Sequence, residues 1–211
     1  MRKIIRNFAV LEGADGSGTS TQLSLLKIRL NQSGHQNAFL TCEPTGKPSG
    51  VLIRSALKKE ISLNPGTLAW LFAADRNEHL FGDGGIAEYC SRGELAVSDR
   101  YLLSSLVYQG LECGDELPQR LNAQFPGPEL LIYLDLDSET AEERLRTRSV
   151  REIYETLEFQ RRVREKYLSL LDECRKDGTR VELIDAGQSP EEVAAEIWRA
   201  VSNLPIFKTE N

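Results

Sequence analysis

The chain has 211 residues, 40% hydrophobic and 27% charged, with a formal net charge of −6 and a pI near 5.2. That length suits one domain with a real core. The acidic balance argues against a broad nucleic-acid-binding surface, and no apolar stretch reaches membrane-spanning length. Cys42, Cys90, Cys113 and Cys174 are widely spaced and form no C-x-x-C, and with only His35 and His79 beside them they complete no familiar zinc pattern. Such cysteines suit a reducing, cytoplasmic setting better than a disulfide framework. Met1–Asn7 is positively charged but has no apolar segment of signal-peptide length.

Along the chain, Phe8-Ala9-Val10-Leu11 is an apolar run of buried-strand length. Glu12 to Gln22 then reads E-G-A-D-G-S-G-T-S-T-Q, and Leu23, Leu26 and Leu30 follow at the spacing of one helix face. A glycine-rich turn between a strand and a helix N-terminus has the geometry that cradles phosphate. Against the phosphate-loop pattern Gly-x-x-x-x-Gly-Lys-Ser/Thr, Gly13, Gly18 and Ser20 fit, while Thr19 stands at the lysine position. Gly13, Ala14, Asp15, Gly16, Ser17, Gly18, Thr19, Ser20 and Thr21 are therefore expected to bind phosphate through backbone N–H groups. Ser20 suits Mg²⁺, and the loop lacks its usual cation.

Four more strand-like runs follow, Ala38–Thr41, Leu95–Ser98, Leu130–Leu134 and Val181–Ile184, with helical patterns between each pair. This alternation predicts an α/β fold with a parallel sheet and helices on both faces. Ligands in such sheets sit outside the carboxyl ends of the strands. Gly13–Ser20, Cys42–Gly46, Asp99–Tyr101 and Asp135–Asp137 fall at those ends and should share one rim.

Phe72 and Arg76, four apart on a predicted helix over Leu68–Leu80, share a face that suits a nucleoside monophosphate. On helix pattern alone Trp70–Ala74 reads first as core. Beyond it, Phe81-Gly82-Asp83-Gly84-Gly85 either breaks the helix or costs about 1 kcal/mol per glycine. At the next strand end Asp99 can hold Mg²⁺, directly or through water, and Arg100 can take an acceptor phosphate in a bidentate fork; a surface ion pair is the plainer alternative. Pro118 and Pro126-Gly127-Pro128 mark turns. Ser189-Pro190-Glu191-Glu192 predicts a capping box and a proline at the first helical position, with Val193, Ile197, Ala200 and Val201 as the buried face. One domain is expected over residues 1–204, with a frayed tail over 205–211.

Taken in order, these clusters resemble the thymidylate kinase family from about Phe8 to Val201. Phe8–Gln22 resembles its phosphate loop, Thr41-Cys42-Glu43-Pro44 its T-R-E-P segment, and Leu71–Arg76 its L-F-A-A-D-R helix. Asp99-Arg100-Tyr101 with Ser104, Ser105, Tyr108, Gln109 and Gly110 resembles its D-R-Y…S-S-x-x-Y-Q-G segment. Leu131–Asp137, then Glu142 and Arg144, resembles the strand and helix leading into its lid.

The resemblance implies a P-loop NTPase-type three-layer α/β/α fold with five parallel strands and a small lid at about 144–155. It implies conversion of dTMP and ATP to dTDP and ADP with Mg²⁺, by a cytoplasmic homodimer whose contact face is the long helix. It implies catalytic roles for Asp15, Asp99, Arg100 and the lid residues Arg148 and Arg151, with Asp15 alternatively a turn-stabilising residue. It further implies acceptor binding by Glu43, Phe72, Arg76, Arg100, Ser104, Ser105, Tyr108 and Gln109, and metal binding by Ser20 and Asp99. Tyr108 would sit against the sugar and help exclude a 2′-hydroxyl.

Two positions depart from the family pattern: Thr19 replaces the loop lysine and Cys42 the T-R-E-P arginine. Each removes a cation aimed at phosphate, and one lost electrostatic donor costs ~10²–10³ in rate. Either other cations compensate (Arg148 or Arg151 at ATP, Lys47 at the acceptor), or the protein is a catalytically impaired nucleotide-binding homologue. A kinase for another nucleoside or nucleoside monophosphate is the third reading.

Overall fold

The computed structural model describes residues 2–146 and 156–208. The strand runs become β1 (Ile4–Gly13), β2 (Phe39–Cys42), β3 (Ala96–Asp99), β4 (Gly127–Asp135) and β5 (Arg180–Asp185). All pair in parallel, in the order β2-β3-β1-β4-β5. Strands buried on both sides read as continuous apolar runs because successive side chains alternate between faces. In β1, Ala9 and Leu11 join one core with Leu26, Leu30, Val193 and Ile197, while Phe8 and Val10 face a second core with Ala69, Ala73 and Leu102. The sheet is the five-stranded parallel one expected, with helices packed on each side.

Between β1 and β2 runs α1 (Thr19–Gln32); between β2 and β3 run α2 (Pro48–Leu57), α3 (Pro65–Phe81) and α4 (Ile86–Ser91). β3 leads to α5 (Leu102–Cys113) and α6 (Glu116–Asn122), β4 to α7 (Ser138–Arg146) and α8 (Leu157–Lys176), and β5 to α9 (Pro190–Val201). The glycine run after Phe81 breaks the helix: α3 ends there, Gly82 is its C-cap, and α4 starts anew at Ile86. The capping box of α9 is present as expected, Ser189 accepting from the Glu192 N–H and Glu192 from the Ser189 N–H. None of the described helices is long and apolar enough to cross a membrane.

Three expectations differ. β1 starts four residues earlier than its apolar run, across a register shift between Ile5 and Ala9 beside Asn7, whose φ is 61°. Pro118 lies inside α6, and Gly127-Pro128 opens β4 rather than a turn; proline is tolerated in a first helical turn and at a strand start, where no N–H is required. Residues after Leu204 do not simply fray. Pro205–Phe207 form a 3₁₀ turn because Phe207 packs edge-on against His35 and Trp198, with ring centroids 4.4 and 5.7 Å away.

Register brings the rim together. Leu11 and Cys42 both pair with Asp99, and Gly13 pairs with Leu134, so residues far apart in sequence form one row at the carboxyl ends of the strands.

Candidate active site

The loop after β1 is shaped by glycine where no other residue fits. Gly18 has φ 93°, in the left-handed region, and turns the chain into α1 as its N-cap. Gly16 has φ 87°, and a Cβ there would come within 2.8 Å of Ala141 O. The loop thus lies tight on α7 with the α1 N-terminus, the positive end of its dipole, behind it. Thr19, at the position of the missing lysine, is buried and lines the cleft beside the loop.

That cleft holds about 270 Å³. Ala14, Asp15, Gly16, Gly18, Thr19, Ser20 and Thr21 line one wall, and Asp99 and Arg100 the floor. Glu43, Phe72, Arg76, Ser104, Ser105, Tyr108 and Gln109 line much of the rest. Arg76 and Arg100 therefore face one space. Gly13 is buried beneath the loop, where a Cβ would collide with the Ser17 side chain. A second cavity on the far side of the same loop is lined by Gly16, Ser17, Gly18 and Thr21 together with Arg144, Gln188 and Pro190.

Ser20 Oγ donates to Asp99 Oδ2 at 2.6 Å, while buried Asp99 Oδ1 has no partner among the described residues. A hydroxyl and a carboxylate are the hard oxygen donors that Mg²⁺ takes, and it draws its remaining ligands from water and substrate phosphate. Among the described residues no group of three or more His, Cys, Asp or Glu could cage a metal. The pair fits the ion.

Arg100 sits at φ 68°, a conformation that costs a non-glycine residue about 1–3 kcal/mol unless its surroundings hold it. Its Nη2 binds Asp15 at 2.5 Å. Its Nη1 donates to Gly13 O at 3.1 Å and approaches Ser104 Oγ, Tyr167 Oη and Tyr108 Oη at 3.3, 3.4 and 3.5 Å. Asp15 also accepts from Gln160 of α8 at 3.1 Å. Burial pushes the phenols of Tyr108 and Tyr167 well up, so both stay hydroxyls.

Arg76, 1% exposed, is almost fully engaged. Nε and Nη2 bind Glu43 Oε2 at 3.0 and 2.7 Å, Nη2 also donates to Tyr101 O at 3.2 Å, and Nη1 donates to Asn122 Oδ1. Of a guanidinium's five N–H groups, one on Nη1 is left for the cleft among the described residues. Glu43 is spent likewise: Oε1 meets His79 Nδ1 at 3.0 Å, and His79 Nε2 meets Thr41 Oγ1 at 2.7 Å. The T-C-E-P carboxylate thus holds Arg76 and His79. Next to it Asp75 accepts from Thr45 N, Thr45 Oγ1 and Ser49 Oγ, tying the loop after β2 to α3.

The three expected compensating cations fare differently. Lys47 points out of the cleft and pairs with Glu78 at 2.9 Å, because its backbone follows the loop that Asp75 pins. Arg148 and Arg151 lie outside the described residues, as does most of the expected lid; Arg144, on α7, donates to Ala186 O at 3.1 Å. Instead Arg54, from α2, reaches the cleft, with Nη2 donating to Pro44 O and lying 3.6 Å from Cys42 Sγ. Nothing local in the sequence marks Arg54; only the tertiary contact of α2 with the T-C-E-P loop brings it in.

Glu12 was also passed over as a site residue. It is fully buried and accepts from Tyr101 N at 3.0 Å, Ser104 N at 3.3 Å, Ser104 Oγ at 2.5 Å and Tyr167 Oη at 3.0 Å. Burial pushes its pKa up, opposed by the Ser104 hydrogen bond, the Arg100 charge and Tyr167. A charged residue closing an apolar strand was the available signal.

Comparison with known proteins agrees with this architecture. The family model described as thymidylate kinase matches residues 11–197. A Treponema pallidum protein bearing the thymidylate kinase name is 42% identical over 173 residues, 82% of each chain. A "probable thymidylate kinase" of Pyrobaculum aerophilum is 40% identical over 202 residues, 95% of this chain and 99% of its own. A "thymidylate kinase" of Synechococcus sp. (strain JA-3-3Ab) is 38% identical over 199 residues, 92% and 94% of the two chains. With a phosphate loop, strand-end Asp-Arg corner and aromatic–arginine helix on one cleft, and with matches of this extent, the chain belongs to the thymidylate kinase family.

Proposed function

We propose that the protein transfers the γ-phosphoryl group of ATP to dTMP, giving ADP and dTDP. Family membership supports this reading, and one observation carries it: the loop, the Asp99–Arg100 corner and the Phe72/Arg76 helix meet in a single cleft. The loop borders a cavity on each side. In this reading dTMP fills the first and the ATP nucleoside the second, near Arg144, so the transferred group crosses at Gly18–Ser20. Phosphoryl transfer is chiefly positioning and charge neutralisation. Loop N–H groups hold the donor phosphates. Arg100 takes the acceptor phosphate, with Asp15 as its partner until substrate competes for it. Ser20 and Asp99 would hold Mg²⁺, which supplies positive charge on the transferring group.

The polar pattern selects the base. Arg76 has a single N–H to give, too little for a phosphate fork and enough for one base carbonyl. Gln109 Oε1 is buried without a partner among the described residues and can accept one N–H. A carbonyl beside a ring N–H is the edge of thymine or uracil, and Phe72 offers a face on which the ring stacks. Tyr108 would lie against the sugar.

In the homodimer of this reading, α3 of one protomer meets α3 of its partner. Trp70 is 58% exposed and Phe81 55%; eleven residues apart, they lie about three turns along one helix face, and exposed Val51 and Leu52 extend α2 beside it. Trp70→Glu should shift the protein from dimer to monomer by light scattering; an unchanged mass would remove α3 as the interface. Four half-buried free thiols fit a reducing cytoplasm.

ADP release with ATP, Mg²⁺ and a panel of dTMP, dUMP, dGMP and thymidine tests the function. Turnover should be highest with dTMP. Turnover on none of them, with dTMP still raising Tm, would leave a binding homologue without the chemistry.

A further inference from the structure

We infer that Glu12 is a positioning residue of the acceptor site, fixing the Arg100 guanidinium through Ser104 and Tyr167. This rests on Arg100 being the acceptor-phosphate group.

The backbone of α5 needs an outside cap. Its N-cap residue Tyr101 makes no side-chain cap bond, leaving the first N–H groups without the usual Ser, Thr, Asp or Asn. Glu12, from β1, fills that place: Oε1 accepts the N–H groups of Tyr101 and Ser104. The Glu12 oxygens face the positive end of the α5 dipole. Tyr101 directly follows Arg100, so the same bond anchors the left-handed backbone at Arg100.

The other oxygen sets the direction of a hydrogen-bond relay. Oε2 accepts from Ser104 Oγ at 2.5 Å and lies 3.0 Å from Tyr167 Oη, and the two hydroxyls are 2.7 Å apart, so the single Tyr167 proton goes either to Glu12 or to Ser104. Each hydroxyl that gives its proton to Glu12 turns lone pairs toward Arg100 Nη1, which lies 3.3 Å from Ser104 Oγ and 3.4 Å from Tyr167 Oη. The guanidinium is thus held by acceptors whose polarity Glu12 dictates. The arrangement joins β1, α5 and α8 at one point under the cleft, with Glu12 touching no part of it that a substrate would occupy.

Glu12→Gln separates this role from helix capping. The amide oxygen still accepts the two N–H groups. The NH₂ group, however, must donate to this hydroxyl pair; one hydroxyl can still donate to the other, 2.7 Å away, and the remaining proton turns toward Arg100. Shape and cap survive while the polarity facing Arg100 reverses at that hydroxyl. The expected result is roughly a tenfold or greater rise in Kd and KM for dTMP, the scale of one charge-assisted hydrogen bond, with KM for ATP and Kd for thymidine unchanged. Thymidine has no phosphate and does not report on Arg100.

Tyr167→Phe, which keeps the ring packing and removes one relay hydroxyl, should show the same pattern at smaller amplitude, and it carries the test if Glu12→Gln does not fold. Equal loss of dTMP and thymidine binding in these variants, or loss of thermal stability alone, overturns the proposal. Arg100→Ala separates the underlying assumption. If it weakens dTMP over thymidine while Glu12→Gln and Tyr167→Phe do not, the Glu12 role is wrong and the acceptor assignment stands. If Arg100→Ala leaves that ratio untouched, both fall.

Discussion

The two sides of the phosphate loop are built on opposite electrostatic plans. On the side proposed for the acceptor, each cation lining the cleft among the described residues is already tethered: Arg76 to Glu43, Arg100 to Asp15, Arg54 to the Pro44 carbonyl. On the side proposed for the donor, among the described residues, the loop itself offers N–H groups and the side chains of Ser17 and Thr21, with Arg144 at the edge. Paired charges are preorganised and lose little side-chain freedom on binding. A loop without its lysine would lean on its N–H dipoles and, in the proposed reaction, on Mg²⁺. Specificity would then reside in the rigid half and rate in the half that is completed last.

The largest effect expected is on the acceptor scaffold. Glu43→Gln leaves Arg76 as a buried cation without its counter-ion and should destabilise the fold by about 3–5 kcal/mol, read from urea unfolding; a loss under 1 kcal/mol would mean that the tethering is not what holds this side. At the junction of the halves, Asp99→Asn should lower kcat by ~10²–10³ with little change in thymidine affinity, and chelation of Mg²⁺ should mimic it. Turnover kept by either would remove the shared metal site.

On the donor side the sign reverses. Thr19→Lys supplies the absent cation and should raise kcat, by ~10-fold or more if the loop is limited by charge, with KM for dTMP unchanged. No gain would place the compensating charge elsewhere, among residues 147–155. The smallest effect concerns α9, whose first turn borders the donor cavity. Ser189→Ala should cost about 1 kcal/mol. Its bonds to Glu192 lower that carboxyl's pKa. Such stabilisation is fully present above the unfolded value of 4.5 and is lost as pH falls through the lower folded value. The difference in Tm between wild type and Ser189→Ala should therefore shrink in acid; a constant difference would place the benefit of Ser189 outside the capping box.

What could be read from the sequence was what is local. Five strands were legible because parallel strands, covered on both faces, leave uninterrupted apolar runs. The α9 cap was legible because its four residues are consecutive, and the loop because its glycines mark a turn. The tethers were not. Glu12 meets Tyr167 across 155 positions, and Arg76 meets Asn122 across 46; no spacing rule links residues that only the sheet order brings together. Lys47 shows the converse. Its place in the chain suggested the acceptor, but the hydrogen bonds of Thr45 to Asp75 set the loop's course and send the side chain to Glu78.

The position of β1 has a consequence for synthesis. It is the central strand, yet its neighbours are β3, near residue 96, and β4, near residue 127. On a ribosome adding about 5–20 residues per second, Phe8–Leu11 waits roughly 5–20 s for its first partner. Throughout that interval the most apolar strand of the nascent chain has its edges open and depends on chaperones or on α1 for cover.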